Sequence, residues 1–417
     1  MVKRRLLTLL AVVLAVALGA LSTISAPTVA QAATPTGKVN VTPGVNVTAQ
    51  FSGTKLDKKR VVDLERSIDG ITWSKLTSAK MSSKGKVTFK TQPAPGYSYR
   101  AVAKAFNYKS KGKKVTAAAV ATEPAAVGWG LVFADDFDGS ELSPAWDHRL
   151  TNSYDAVGRL CAAPQTHQAW VSGGTVKLRA VKVTDKALIS AVTQNAKAVQ
   201  AAQAGSKYTK AEAKVTSTKA SYDKAKSKSA KKKAKKAYDK AVKARNNLVP
   251  GCPDGVFENA MIGTGAAGHG VLAGQSGILE ARIKFPTRQG MHGSAWMQSA
   301  KGQEIDMVES YGKGRGITSV IHQNNKRYPA SAPYVSKSAT KKSSWWSSFH
   351  NYSVEWNAKE VIFRVDGAEV RKLKNKNMND TDYYLVLSML SSDWETYRQK
   401  SWKSGTMEVD WVRIWAR

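Results

Sequence analysis

The sequence reads Gln303-Glu304-Ile305-Asp306-Met307-Val308-Glu309 at its most informative point. Side chains at positions i and i+2 of a strand share a face, so Glu304 and Asp306 point the same way while Ile305 points into the core. In a regular strand Glu309 would face the opposite side. A β-bulge at Met307-Val308 adds the one residue that returns Glu309 to the face of the other two carboxylates. The stretch therefore predicts a bulged strand with three carboxyl groups on one face.

Three carboxylates side by side repel one another, and the repulsion raises the pKa of at least one of them. Such a cluster costs stability, so it indicates a chemical role rather than a structural one. Hydrolysis of a glycosidic bond uses one ionised and one protonated carboxyl group on either side of the bond. The spacing of Glu304, Asp306 and Glu309 is therefore typical of a glycosidase site.

The chain around this stretch reads as one all-β domain, over about residues 126–183 and 251–417. Eleven of the twelve tryptophans lie there. Strand-like runs, separated by Gly, Pro, Asn and Asp, begin at Thr175, Gly277, Val361, Tyr384 and Met407. Strands do not alternate with regular helices, which excludes a parallel α/β sheet. The pattern predicts a two-sheet antiparallel sandwich.

Between these two segments the composition changes to Ala, Lys, Ser and Thr. A thin heptad seam is formed by residues seven positions apart, Tyr208, Val215 and Tyr222. A shorter preceding helix is indicated by Leu188, Val192 and Val199, and Gly205 marks the break between the two. Residues 186–249 are thus predicted to form a basic helical hairpin inserted into the sandwich.

Residues 34–125 show short alternating strands separated by turns such as Asp69-Gly70 and Lys84-Gly85. The stretch from Val61 to Ala103 resembles the immunoglobulin-like or fibronectin type III-like modules that are attached to secreted bacterial enzymes. This resemblance implies a small N-terminal β-sandwich that acts as a spacer or adhesive module. We assign no chemistry to it.

The chain carries 64 Lys+Arg against 31 Asp+Glu, a net charge of +33. Most of the excess lies outside the all-β domain: residues 34–125 hold 17 Lys+Arg and five Asp+Glu, and residues 205–246 hold 15 and three. The remaining sandwich is only mildly basic, so composition does not indicate a polyanion-processing enzyme. The basic segments favour either a solvated face or contact with an anionic cell-wall polymer, and we expect no nucleic-acid partner.

Residues 1–32 have the pattern of a signal peptide. A basic start at Lys3, Arg4 and Arg5 is followed by an apolar run and by Ala30-Gln31-Ala32, a signal-peptidase pattern. A membrane anchor is the alternative, but the apolar run is short for that purpose. We therefore expect an extracellular protein. It is either released into the medium or associated with the cell wall. In an oxidising compartment Cys161 and Cys252 are expected to pair, the alternative being two buried thiols.

The E-I-D-x-x-E pattern of Glu304–Glu309 resembles the laminarinase and lichenase group of glycoside hydrolase family 16. Further matching pieces occur in the family's order, namely Phe133-Ala-Asp-Asp-Phe-Asp-Gly-Ser, Gly277-Ile-Leu-Glu-Ala-Arg-Ile-Lys-Phe-Pro, His292-Gly-Ser-Ala-Trp-Met, Leu387-Ser-Met-Leu-Ser-Ser-Asp-Trp-Glu and Val409-Asp-Trp-Val-Arg-Ile-Trp. The resemblance implies a concanavalin A-like β-jelly-roll, with a glycan cleft on its concave sheet. It also implies a retaining double displacement with Glu304 as nucleophile, Glu309 as general acid/base, and Asp306 tuning their pKa values.

Candidate sugar-binding residues are Trp296, Trp394 and His292, which lie in the matching pieces, and His322, which alternates outward on the next strand in Ser319-Val-Ile-His. A core position is the alternative for each tryptophan. Trp411 and Trp415 alternate with Val409 in a terminal strand and are predicted to be core residues. Many family members have Trp-Pro-Ala-Phe-Trp where this chain has His292-Gly293-Ser294-Ala295-Trp296, which leaves the glycan open. No cofactor is expected, although the resemblance allows a structural calcium near Asp136 and Asp410.

These features favour a secreted retaining endo-glycosidase of a β-linked polysaccharide, with a β-1,3- or mixed β-1,3/1,4-glucan as the leading substrate. Two alternatives stay open. One is a non-catalytic carbohydrate-binding protein, against which the three carboxylates argue, since a lectin has no use for them. The other is a transglycosylase that uses the same nucleophile, which product sizing distinguishes from a hydrolase.

Overall fold

The computed structural model of the chain describes residues 36–67, 70–94, 97–126, 128–154, 159–265, 276–299, 302–313, 315–323, 326–328, 344–375, 383–391 and 404–416. The predicted signal peptide lies outside these residues. None of the helices within these ranges is long and apolar enough to cross a membrane.

The N-terminal unit consists of short strands, which are β1 (Gly37–Asn40), β2 (Thr48–Phe51), β3 (Val61–Ser67), β4 (Ser74–Lys80), β5 (Lys86–Thr88), β6 (Ser98–Ala103), β7 (Phe106–Ser110), β8 (Lys113–Ala117), β9 (Val120–Ala121) and β10 (Ala125–Ala126). One sheet has the order β1-β2-β5 and a second β10-β6-β3-β4, with β9 added to β6 and β7 pairing β8 separately. Phe51 of the first sheet and Leu64 and Tyr99 of the second are buried in one shared core. The unit is therefore a small β-sandwich.

The larger unit contains the strands β11 (Gly130–Asp135), β12 (Asp147–His148), β13 (Ala162–Pro164), β14 (Ala169–Val171), β15 (Val176–Lys182), β16 (Phe257–Gly263), β17 (Gly277–Lys284), β18 (His292–Ser299), β19 (Glu304–Ser310), β20 (Ile317–Gln323), β21 (Lys326–Tyr328), β22 (His350–Trp356), β23 (Glu360–Val365), β24 (Ala368–Lys374), β25 (Tyr383–Leu390) and β26 (Ser404–Ala416). A 3₁₀ turn at Thr166–Gln168 and a short helix, Ser344–Ser347, interrupt them. The unit is all-β, as predicted.

Two sheets form this larger unit. We call β21-β20-β19-β18-β25-β16 the site sheet and β15-β26-β17-β22-β23-β24 the outer sheet; the two are continuous through pairing of β15 with β16. Apart from the parallel pair β13–β16, the strand pairs described in this unit are antiparallel. Phe285, Tyr352, Trp356 and Tyr383 are buried between the sheets, and each such side chain contributes about 1.5–3 kcal/mol. The predicted antiparallel sandwich is confirmed.

The predicted bulge in β19 is confirmed by the strand register. Trp296 of β18 lies opposite Asp306, but the preceding Ala295 lies opposite Val308, so Met307 is the extra residue. The pairing with β20 shifts at the same place, between Asp306 and Glu309. The bulge brings Glu309 to the cavity side of the site sheet, where Glu304 and Asp306 also lie.

The inserted segment contains three helices rather than the two predicted: α1 (Lys186–Ala204), α2 (Ser206–Lys224) and α3 (Lys228–Leu248). The hairpin turn lies at residues 225–227 rather than at Gly205, since Tyr222 of α2 stacks on Tyr238 of α3 and Arg245 pairs with Glu212 at 2.8 Å. Ser227 starts α3 because its hydroxyl accepts from the Ala230 N–H. Gly205, with φ of 50°, only redirects the chain between α1 and α2.

The first helix belongs to the body of the sandwich, whereas α2 and α3 form what we call the arm. Cys161 and Cys252 are joined in a disulfide, with Cα atoms 5.5 Å apart. Ala196 of α1 packs against this disulfide, and Val192 packs beside Val183 and Val256. In the arm, by contrast, only Thr218 and Ala241 are buried among the described residues. The arm thus presents its lysines to solvent.

The prediction for Trp411 is wrong. A bulge in β26 at Asp410 places Trp411 opposite Arg282 and Val409 opposite Ile283, so the alternation from Val409 changes face there. Trp411 is therefore half-buried on the outside of the outer sheet, in cation–π contact with Arg413 at 4.3 Å. Trp415 is buried as predicted, but in a small cluster with Trp129 and Ile278.

The N-terminal unit docks on the outer sheet through the turn at Thr42–Val45. Gly44 has φ of 68°, and its carbonyl accepts from the Ser353 hydroxyl at 3.2 Å. A Cβ atom on Gly44 would lie 2.7 Å from that hydroxyl oxygen. The Asn351 side chain adds a second contact, since it donates to the Gln92 side chain at 2.6 Å. Only glycine fits this turn without strain.

We expect Gly44→Ala to destabilise the docked protein by roughly 1–3 kcal/mol, because both the backbone angle and the space disfavour a side chain. The measurement is urea unfolding. Gly53→Ala is the matched control, since Gly53 has φ of 67° but no atom lies within 4 Å of the position that its Cβ would take. Equal losses for the two variants would show that the contact with Ser353 contributes nothing.

Candidate active site

The three carboxylates of β19 line a cavity of about 440 Å³ on the site sheet. The other lining residues come from β16, β18, β20 and β25 and from two loops, and they include Arg149, His292, Ser294, Trp296, Tyr311, His322 and Ser388. Asp306 and Glu309 are buried, and Glu304 is half-buried. The cavity therefore concentrates acidic groups where water access is restricted.

Glu309 is held by three side chains. The Tyr311 hydroxyl donates to its Oε1 at 3.0 Å, and the Thr318 hydroxyl donates to its Oε2 at 3.0 Å. The His292 Nε2 atom lies 3.1 Å from Oε1, and the His292 ring stacks on Tyr311 at 4.3 Å. Hydroxyl and imidazole groups can each donate or accept a hydrogen bond. This set of partners can therefore hold both the protonated and the ionised form of Glu309.

Glu304 and Asp306 share one histidine. The His322 Nε2 atom lies 3.2 Å from the Asp306 carboxylate and 3.6 Å from that of Glu304. Glu304, Asp306 and His322 each offer one possible metal-ligand atom, and these three atoms lie within 4.8 Å of one another. The strand register explains the contact, since His322 of β20 is the cross-strand partner of Glu304. The geometry alone would accommodate a cation, but His322 already bridges the two carboxylates.

Burial and mutual repulsion raise the pKa values of this group. Burial, with the charge of Glu309 next in importance, raises the pKa of Asp306 to about 7. Burial also raises the pKa of Glu304, against the opposing effect of His322. The hydrogen bond to Asp306 raises the pKa of His322. When it is protonated, His322 supplies a positive charge that favours ionised Glu304.

Trp296 lines the same cavity and is the cross-strand partner of Asp306. Its indole N–H donates to the Ser388 hydroxyl at 3.3 Å, which fixes the ring. The Arg149 guanidinium lies 5.8 Å from the Trp296 ring centroid and 4.9 Å from that of Tyr384. A half-buried ring beside polar groups is a suitable platform for the C–H face of a sugar.

The structure brings six of the seven predicted site residues to one cavity, namely Glu304, Asp306, Glu309, Trp296, His292 and His322. Trp394 lies outside the described residues. Sequence reasoning missed Tyr311, Thr318 and Arg149. Tyr311 stands two residues after Glu309, so the i+2 rule for strands would have indicated it. Thr318 and Arg149 are distant in sequence and carry no such signal.

Residues 263–413 match the family model described as "Glycosyl hydrolases family 16". The chain is 26% identical over 145 residues to "Endo-1,3-1,4-beta-glycanase ExsH" of Rhizobium meliloti (strain 1021), which covers 34% of this chain and 30% of that protein. It is 29% identical over 147 residues to "Probable xyloglucan endotransglucosylase/hydrolase protein 12" of Arabidopsis thaliana, 33% of this chain and 48% of that protein. The chain thus spans less than half the length of each relative.

Among solved structures, the chain is similar to the catalytic domain of an endo-1,3-beta-glucanase (laminarinase) from Thermotoga petrophila RKU-1. The identity is 17% and the TM-score 0.42, over 69% of this chain and 97% of that chain. The family match is the more informative result, since it includes β18, β19, β20 and β25, which supply most of the cavity. The part of the chain that carries the carboxylates, residues 263–413, therefore matches glycosyl hydrolases family 16.

Proposed function

We propose that the protein is a retaining endo-glycosidase that hydrolyses a β-linked glucan, with β-1,3- or mixed β-1,3/1,4-linkages as the leading substrate class. The observation that carries the proposal is the bulged strand β19, which turns Glu304, Asp306 and Glu309 into one cavity. The family match supports the hydrolase class. The name of the Rhizobium meliloti relative, an endo-1,3-1,4-beta-glycanase, supports the linkage.

In the first step Glu304 attacks the anomeric carbon of the sugar and forms a covalent ester bond. Glu309 donates its proton to the glycosidic oxygen as the bond between carbon and leaving group breaks. When protonated, His322 stabilises the ionised form of Glu304, since its Nε2 atom lies 3.6 Å from that carboxylate. The assignment of Glu304 as nucleophile and Glu309 as acid follows the order of the E-I-D-x-x-E pattern.

In the second step Glu309, now ionised, takes a proton from water. The resulting hydroxide attacks the anomeric carbon, the ester to Glu304 breaks, and the sugar leaves with its original configuration. Glu309 therefore alternates between two protonation states during one turnover. The hydroxyls of Tyr311 and Thr318 can reverse their hydrogen bonds to suit each state.

A screen of reducing-sugar release over laminarin, lichenan, agarose, carrageenan, xyloglucan and galactan tests the substrate class. We expect release from laminarin or lichenan and a fall in chain length that indicates internal cleavage. Proton NMR of the first product formed tests the mechanism, with the β-anomer expected first. Release from none of the six polymers would contradict the proposal, and an α-anomer from a β-glucan would contradict retention.

Transfer to a second glycan chain is the alternative reaction, because Arabidopsis thaliana relatives are named xyloglucan endotransglucosylase/hydrolases. The two reactions share the glycosyl-enzyme and differ only in whether water or a sugar hydroxyl attacks it. Size analysis of products from xyloglucan mixed with labelled oligosaccharide separates them. A labelled polymer would indicate transfer.

The pH dependence of stability follows from the pKa of Asp306. Folding raises this pKa from 3.8 to about 7, so the folded protein holds a proton that the unfolded chain releases, and the unfolding free energy falls as pH rises from about 4 to about 7. The raised pKa of His322 has the same sign, since its contribution is lost as pH rises through that pKa.

We expect Asp306→Asn to flatten this fall, to lower activity, and to move the pH optimum, because a titrating neighbour of the catalytic glutamates is removed. Thermal unfolding and initial rates between pH 4 and pH 8 are the measurements. Asp63→Asn is the control: burial acts to raise the pKa of Asp63, but the hydrogen bonds from Ser78, Lys104 and Lys75 together outweigh burial and lower this pKa. Its loss should destabilise the protein evenly across this range. An unchanged slope in Asp306→Asn would contradict the prediction.

We further propose that residues 1–32 direct secretion and that the N-terminal sandwich is an immunoglobulin-like or fibronectin type III-like accessory. The basic arm would contact an anionic cell-wall polymer. Its helices expose lysines, and the two ion pairs within single helices, Lys219–Asp223 and Lys235–Asp239, leave most of the charge available. We also propose that no calcium is required, since Asp136 and Asp410 are paired with Arg413 and Arg282.

Neutralising the arm should weaken polymer binding without altering catalysis. Replacement of Lys231, Lys232, Lys235 and Lys236 by Gln removes four charges from α3, so retention on an anionic wall polymer should fall and become less sensitive to salt. The control with the same charge change replaces Lys109, Lys111, Lys113 and Lys114 of the hairpin formed by β7 and β8. Co-sedimentation with isolated wall at two salt concentrations is the measurement. Equal losses would show that net charge alone acts.

A further inference from the structure

A second cavity lies between the N-terminal sandwich and the outer sheet, whereas the carboxylates of β19 lie on the site sheet. We call it the interface cleft. Its volume is about 310 Å³, and its walls are residues 90–94 on one side and Glu280, Asn351, Trp411, Arg413 and Trp415 on the other. The proposed catalytic steps use none of these residues.

Glu280 is the least expected member of this set. It lies on β17 in the middle of the outer sheet and is only 2% exposed. It accepts a hydrogen bond from the backbone N–H of Gly44 in the docking turn. Its Oε1 atom, however, has no hydrogen-bond partner among the described residues. A buried polar atom without a partner destabilises the fold, so it indicates a ligand group or a constraint of function.

Two donors in the same cleft are also without partners. Gln92 accepts from the Asn351 side chain through its Oε1 atom, while its Nε2 atom has no partner in the described structure. The indole Nε1 atom of Trp415 has none either. The side chains that carry these three unpartnered atoms, one carboxyl oxygen and two N–H donors, all line one small cavity. A hydroxyl group, which donates and accepts at once, complements such a set.

The charges of the cleft favour a neutral ligand. Burial raises the pKa of Glu280 to about 8, so the carboxyl is mostly protonated at neutral pH. Arg413 is paired with Asp136 at 2.7 Å, and the nearby Arg364 with Glu355 at 2.9 Å. Lys90 remains as a solvent-exposed charge at the cleft. No strong net charge therefore faces the cavity from the described residues.

Trp411 adds a flat apolar surface. Its ring is half-buried and lies under the Arg413 guanidinium at 4.3 Å. An aromatic ring beside unpartnered polar groups suits a ligand that has both C–H faces and hydroxyl groups. We propose that the interface cleft binds a neutral sugar residue of a polysaccharide, as a second glycan site separate from the cavity at Glu304. Because the N-terminal sandwich supplies one wall, the site exists only when that unit is docked.

Hydrogen–deuterium exchange on the full chain carrying Glu304→Gln tests the proposal, since this variant should not consume the probe. The probes are laminarihexaose and cellohexaose. We expect slower exchange in residues 90–94 and in β26 when one of the two probes is added. This change should occur whether or not exchange in β19 and β20 also changes. The two regions report separately, so a failure of the cleft and a failure of the proposed catalytic site give different results.

Two substitutions check that the protection arises in the cleft. Gln92→Glu keeps the oxygen that Asn351 contacts but removes the Nε2 donor, and Trp411→Ala removes the ring. Each substitution should raise, at least tenfold, the probe concentration that is needed to protect residues 90–94 from exchange. Trp170→Ala is the control, because Trp170 is a half-buried ring under Arg179 at 5.3 Å outside the cleft. Unaltered exchange with both probes, or protection that survives both substitutions, would overturn the proposal and leave a cleft filled with water only.

Discussion

Glu304→Gln should lower turnover of soluble β-glucan by roughly 10⁴- to 10⁶-fold, the scale seen when a covalent nucleophile is removed. The amide has nearly the size of the carboxylate but cannot form the ester with the anomeric carbon. Folding should survive, and at neutral pH stability should be equal or slightly higher. The reason is that burial raises the pKa of Glu304, so ionisation of this group opposes folding.

Initial rates on laminarin and a thermal unfolding curve test this expectation together. Glu360→Gln is the matched control, since Glu360 is also a partly exposed strand glutamate with one cationic neighbour, Lys372 at 3.2 Å. That variant should retain full activity. A Glu304→Gln protein with normal turnover would end the assignment of the nucleophile. The unfolding curve distinguishes a folded variant that has lost the nucleophile from a variant that is inactive because it does not fold.

The strand-level features of the sandwich were predictable because they depend on local patterns. The run beginning at Gly277 became β17, and the run beginning at Tyr384 lies within β25. The bulge in β19 followed from the need to place Glu309 on the face of Glu304 and Asp306. In each case the period of the side chains decides the outcome, and that period is present in the sequence itself.

Two predictions failed for reasons that are not local. The bulge at Asp410 in β26 depends on its pairing with β17, and it moved Trp411 to the outside. The hairpin turn moved to residues 225–227 because the packing of Tyr222 on Tyr238 selects which helices pair. Gly205 was a correct break but not the turn. The sequence analysis found only the break at Gly205, and the contacts between α2 and α3 show that the chain reverses at residues 225–227 instead.

The candidate site shows the same division. Tyr311 was within reach of the i+2 rule, whereas Thr318 required knowledge of the register between β19 and β20. Arg149 lies after β12 in a loop that reaches the cavity only in the folded chain. Spacing along one strand therefore predicted the carboxylates, and the partners that position them came from other strands.

Glu309→Gln should lower turnover of polysaccharide by about 10²- to 10⁴-fold, the usual contribution of a general acid/base. The loss should be smaller for an aryl glycoside with a good leaving group, because that group departs without a proton. Tyr311→Phe is the companion variant: it removes one of the hydrogen bonds to Oε1 of Glu309 but keeps the ring that stacks on His292. Its loss should be milder and should change the pH profile.

Azide distinguishes the two glutamates. In Glu309→Gln the glycosyl-enzyme still forms from an activated substrate, so azide can attack it without a general base and release a β-glycosyl azide at an increased rate. In Glu304→Gln no such intermediate forms, and azide should not restore a retained product. Product analysis by NMR reads both outcomes. If azide instead restored a retained product in the Glu304 variant and not in the Glu309 variant, the two roles would be reversed. Azide takes the place of the water that the general base activates, so the variant that azide rescues with retention is the one that lacks the general base.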